Sequence, residues 1–78
     1  MIVKMVKLLS ISDVQNFVNA ACAADYDIDL VSGRYRVNAK SIMGIFSLDL
    51  TKPIEVHIHA ENEEGAGEFL DSIKSFTL

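Results

Sequence analysis

The stretch Asp27-Ile28-Asp29-Leu30-Val31-Ser32-Gly33-Arg34-Tyr35-Arg36-Val37 decides how this chain folds. Acids alternate with Ile28 and Leu30 up to Val31, Ser32-Gly33 is a turn signal, and Arg34 to Val37 alternates again. Period-two alternation on both sides of a glycine turn predicts a β-hairpin, and so an antiparallel sheet.

Working outward, Ile2 to Val6 is apolar and β-branched and predicts a strand. Val14, Phe17, Val18, Ala21 and Ala24 fall on one helical face, predicting a helix that runs to about Ala24. Two capping pairs precede it, Ser10 with Asp13 and Ser12 with Gln15. After the hairpin, Ser41 is a good N-cap for a helix of about two turns containing Ile42, Met43, Ile45, Phe46 and Leu48. Thr51-Lys52-Pro53 breaks the chain. Ile54 to Ala60 then alternates Ile54, Val56, Ile58 and Ala60 against Glu55, His57 and His59, a strand with one polar face. The acids from Glu61 to Glu64 suit the positive end of a last helix. That helix carries the stripe Ala66, Phe69, Leu70, Ile73 and Phe76, with Gly65 and Gly67 weakening its first turn.

The order βαββαβα predicts an α+β fold: an open-faced sandwich of a four-stranded antiparallel sheet with three helices on one face. Its 78 residues form one domain, residues 1–78, with a core too small for a deep catalytic cleft. A carrier or binding module fits such a chain better than an enzyme. The net charge of −4 and the absence of a Lys/Arg run argue against nucleic acid as a partner. No stretch approaches a membrane span or a secretory leader. The single cysteine, Cys22, excludes an internal disulfide and is read as buried packing in the first helix. Cytoplasm is the expected compartment. The pair His57 and His59, with Glu55 on the same face, has a spacing that can bind zinc or copper, but a third ligand is not evident. Two solvent-facing histidines are therefore expected, with no metal and no cofactor.

Within this pattern, Asn38-Ala39-Lys40-Ser41-Ile42-Met43-Gly44-Ile45-Phe46-Ser47-Leu48 resembles the regulatory-serine helix of HPr, the phosphocarrier of the bacterial sugar phosphotransferase system, particularly its low-GC gram-positive form. Phe17-Val18-Asn19-Ala20-Ala21 resembles the first helix of that family, and Glu61-Asn62-Glu63-Glu64 the start of its last. The resemblance covers essentially the whole chain. It implies a phosphate-carrying histidine just before the first helix, followed by a threonine or similar residue, an arginine, and a proline or alanine. Here the histidine position falls on Ser10, and Ile11, Ser12 and Asp13 follow, with Ser12 at the arginine position.

Phosphohistidine chemistry needs a nucleophilic imidazole where backbone N–H groups and the helix dipole hold the anion. An unactivated serine is a weak nucleophile, and Asp13 would repel an incoming phosphoryl group. Ser10 is read as a cap and the carrier site as degenerate. Ser41 matches the serine that the HPr kinase/phosphorylase modifies, and Lys40 beside it could pair with the phosphate. Lys40, Ile42, Met43 and Phe46 are the expected partner-binding residues, the partner being that kinase or a transcriptional regulator. The expectation is a regulatory, protein-binding module in catabolite control, like family variants that lose the histidine and keep the serine, as a monomer or weak homodimer. Two alternatives remain open: a phosphocarrier with an altered acceptor at Ser10, and a diverged scaffold that works through its sheet face or a homodimer.

Overall fold

The computed structural model describes residues 1–78. Its elements are β1 (Ile2–Val6), α1 (Ile11–Cys22), β2 (Ile28–Ser32), β3 (Tyr35–Asn38), α2 (Ile42–Phe46), β4 (Ile54–Ile58) and α3 (Gly67–Ser72). The strands form one antiparallel sheet in the order β1-β4-β2-β3. The last strand in sequence thus lies between the first two. Gly33 makes the hairpin turn with φ +60, and Arg34 after it keeps a negative φ. Glycine at the first of two central positions is the signature of a type II′ turn, whose twist matches the strands it joins.

Register sorts the two faces. Ile2, Ile58 and Ile28 align across β1, β4 and β2, as do Lys4, Val56 and Leu30. This face meets the helices. Ile54, Val56, Ile58, Ile28 and Leu30 lose all solvent contact there, against Val14, Phe17, Ala21, Ile45, Phe69 and Ile73. Phe17 of α1 and Phe69 of α3 meet edge to face, with ring centroids 5.7 Å apart and planes at 79°, a favoured aromatic geometry.

Three local expectations are corrected. The helix α2 spans five residues and not two full turns. The acids Glu61 to Glu64 lie in turns ahead of α3, which starts at Gly67 without a side-chain cap. The stripe reaching Phe76 does not remain helical, because α3 ends at Ser72 and the chain turns back onto β1. There Lys7 N–H donates to the Phe76 carbonyl at 2.9 Å, Leu78 N–H donates to the Met5 carbonyl at 3.0 Å, and Val6 bridges to Thr77. Edge backbone groups need partners, and pairing part of the free edge of β1 outweighs another helical turn.

Phe17→Ala removes the largest fully buried side chain and should lower unfolding free energy by about 3–5 kcal/mol. Such a loss is comparable with the whole stability of a domain this size. Urea denaturation followed by circular dichroism measures it.

Candidate functional site

The first candidate lies at the start of α1. Ser10 is extended (φ −147, ψ 167) and caps the helix: its Oγ accepts from Asp13 N–H at 3.1 Å, and its carbonyl accepts from Val14 N–H at 3.2 Å. The Asp13 carboxylate reaches back and accepts from Leu9 N–H at 2.9 Å. Of the two capping pairs in the sequence, Ser10 with Asp13 is the one that forms. This reciprocal lock satisfies amide donors that a helix start leaves free. It also sets a carboxylate at the positive end of the helix dipole.

The surroundings of Ser10 are apolar. A groove of about 530 Å³ runs between the start of α1 and the end of α2, lined by Lys7, Leu8, Leu9, Ser10, Ile11, Phe46, Leu50 and Thr51. Its lining contains no histidine and no arginine, and Lys7 is its one cation. A Ser10 hydroxyl there lacks the neighbouring base that nucleophilic attack needs. Leu9 is 76% exposed, Ile11 65% and Phe46 43%, while Met43 one turn before Phe46 is 79% exposed. Large apolar side chains gathered in solvent mark an interaction surface more often than chance. Asp49, two residues before the lining residue Thr51, accepts from both the hydroxyl and the backbone N–H of Thr51. Those two bonds hold its carboxyl below the ordinary value of 3.8.

The second candidate is Ser41, the exposed N-cap of α2. Its Oγ accepts from Gly44 N–H at 3.3 Å. Glycine leaves room there: a Cβ on residue 44 would approach Ser41 Oγ to 3.2 Å and Val37 Cβ to 3.3 Å, so a larger residue needs those neighbours to give by a few tenths of an ångström. In contrast to α1, the first turn of α2 contains no acid. Of the other expected binding residues, Met43 and Phe46 stand out in solvent, whereas Ile42 is half-buried against the core. Lys40 is exposed, but its Nζ donates to the Ala24 carbonyl at 3.3 Å, at the C-terminal end of α1. Leu9 and Ile11 were not legible as surface residues in the sequence. Their only signal is that they fall outside the stripe headed by Val14.

Two other expectations are corrected. Cys22 is exposed, because it follows Ala21 around the helix and faces away from the core. His57 is not solvent-facing: its side chain is only 13% exposed, and both ring nitrogens are enclosed without a hydrogen-bond partner. The register sets it between Val3 of β1 and Asp29 of β2, and a central strand of a four-stranded sheet leaves its ring flanked on both sides. Nε2 lies 3.8 Å from Glu55 Oε1, beyond hydrogen-bond distance. His59 bonds instead to Asp29 Oδ2 at 3.0 Å, an oxygen that also accepts from Arg36 at 3.0 Å. No three groups of metal-ligating type converge anywhere on the chain.

Ser10→Ala should cost about 1 kcal/mol by removing the cap. Asp13→Ala keeps the residue 13 N–H on Ser10 Oγ and removes only the bond from Leu9 N–H, so its loss should add to that of Ser10→Ala in the double variant, which urea titrations of the three variants check. Separately, Thr51→Val should raise the Asp49 carboxyl toward its ordinary value. A carboxylate held low by its folded-state bonds stabilises the fold at pH above its unfolded value. That contribution disappears as the pH falls through the folded value. Carboxyl-carbon NMR titration of Asp49 reads the shift.

The fold has counterparts among known proteins. The family model described as "PTS HPr component phosphorylation site" matches residues 4–77. Among solved structures, the crystal structure of HPr-C-His from Thermoanaerobacter tengcongensis is similar, with a TM-score of 0.76 and 26% sequence identity over 96% of this chain and 93% of that one. With nearly every residue from β1 to the C-terminal bridge inside that family match, and the same topology in a solved relative, this chain belongs to the HPr family of the phosphotransferase system.

Proposed function

We propose that this HPr-family chain is a regulatory, protein-binding domain and not a phosphate carrier. The observation that carries the reading is the reciprocal cap at the start of α1. Where the family resemblance expects a histidine, Ser10 spends its oxygen on the Asp13 amide, and the Asp13 carboxylate already occupies the positive end of the helix. An arriving phosphoryl group would meet that negative charge, no imidazole and no arginine.

The surface beside the cap supports a binding role. Leu9, Ile11 and Phe46 present apolar side chains around the groove between the start of α1 and the end of α2, and Met43 is exposed on α2 one turn before Phe46. Burying a side chain of this size in an interface contributes roughly 1.5–3 kcal/mol. Ser41, two residues before Met43, is exposed and has no acid in the turn that follows. Phosphorylation there by an HPr-type kinase would add close to two negative charges beside Met43 and change which partner the surface accepts. In this reading a transcriptional regulator or the kinase itself is the partner, and the compartment is the bacterial cytoplasm. No helix of the chain is long and apolar enough to cross a membrane.

Incubation with an HPr-type kinase and ATP should add one phosphate, located by peptide mass spectrometry to Ser41 and absent in Ser41→Ala. Phosphate at another residue, or none, contradicts the regulatory part of the reading. Met43→Ala with Phe46→Ala should leave the fold intact and slow phosphorylation by about tenfold or more if the kinase docks on this surface.

A further inference from the structure

His57 stands apart from every other polar side chain of the domain. Its Nδ1 and Nε2 are the only buried side-chain nitrogen or oxygen atoms without a hydrogen-bond partner. A neutral imidazole has one N–H donor and one bare acceptor nitrogen. Enclosing both of them unpaired opposes folding, because each loses its bond to water and gains none in return.

The groups around the ring come from three strands. On β1 the register partner of His57 is Val3, which carries no charge. On β2 it is Asp29. The Oδ2 atom of Asp29 already accepts from Arg36 of β3 at 3.0 Å and bonds His59 Nε2 at 3.0 Å. The helices pack on the other face of the sheet. Along β4 itself, the face of His57 also carries Glu55 and His59. His59 is engaged with Asp29, whereas Glu55 is free to move: its Oε1 lies 3.8 Å from His57 Nε2, and its side chain is 47% exposed.

Protonation acts on this arrangement in one direction. A proton taken from solvent onto the bare ring nitrogen makes both nitrogens donors and gives the ring a positive charge. An enclosed charge without a partner is far less favourable than an enclosed neutral ring. Bringing Glu55 from 3.8 Å to hydrogen-bond length takes a movement of about 1 Å, by a side chain that is half in solvent. We propose that His57 and Glu55 form a proton-operated latch on the open face of the sheet. The neutral ring leaves the Glu55 carboxylate free, and the imidazolium draws that carboxylate onto Nε2. The ring N–H is the one covalent bond that forms, and the pair passes from one negative charge to none. Histidine is the side chain suited to such a device near neutral pH. Linkage makes the effect reciprocal: a partner that covers or displaces Glu55 also changes proton binding at His57. The latch lies on the side of the sheet away from α1 and α2, so it works independently of the Ser10 cap and of Ser41.

The test is NMR of the full chain between about pH 8 and pH 5. It follows the imidazole nitrogens of His57 and the carboxyl carbon of Glu55, with His59→Gln used to assign the two rings. As His57 takes up its proton, the Glu55 carbon should shift in the same step, and a slowly exchanging Nε2 proton should appear. Glu55→Gln, a change at a half-exposed position, should lower the proton affinity of His57 about threefold. His57 protonating while the Glu55 carbon stays still, an unchanged proton affinity in Glu55→Gln, or a ring that remains neutral over the whole range would overturn the proposal.

Discussion

The fold hangs on β4. Its residues Ile54, Val56 and Ile58 lose all solvent contact, and the strand pairs with β1 on one side and β2 on the other. Until β4 arrives, β1 and the β2–β3 hairpin have no backbone link to each other within the sheet. The strand therefore joins the two ends of the sequence to its middle. Its apolar row is also the floor on which α1 and α3 pack through Phe17 and Phe69. Once α1 is held down by Val14, Phe17 and Ala21, its start is fixed beside the end of α2, across the groove lined by Leu9, Ile11 and Phe46.

Much of this was legible in the sequence because it follows from period. Alternation at residues 27–37 and 54–60 gave the strands, and the spacing of Val14, Phe17 and Ala21 gave α1. The parts that were not legible depend on competition between local and long-range bonds. Ile73 and Phe76 fit a helical stripe, yet the backbone around Phe76 to Leu78 finds partners on the edge of β1. His57 sits on the polar alternate of β4, yet a central strand in a four-stranded sheet gives it neighbours on both sides, and strand order is not written in any local window. Cys22 next to Ala21 shows the same limit at the end of a helix, where one residue turns the side chain from core to solvent.

For the candidate site, residue types could be read from the sequence but commitments could not. Ser10 and Asp13 were visible as a capping pair. Only the structure shows that their oxygens are both occupied, by the amides of Asp13 and Leu9. Likewise Lys40 stands beside Ser41 in sequence but places its ammonium on the Ala24 carbonyl. Leu9 and Ile11 became surface residues once the direction of α1 was known, and like Met43 and Phe46 they are large apolar side chains in solvent. The resulting picture is a scaffold with its family topology intact and a reciprocal Ser10–Asp13 cap at the start of α1.

The central claim is that the start of α1 no longer accepts phosphate. Phosphoryl transfer from phosphoenolpyruvate through the general phosphotransferase enzyme tests it most directly, with a family member that retains its histidine as the positive control. The account predicts no labelled phosphate on this chain under conditions that label the control fully. Label recovered on Ser10 would contradict it, because the Ser10–Asp13 cap would then have to open and admit the phosphoryl group it is argued to exclude.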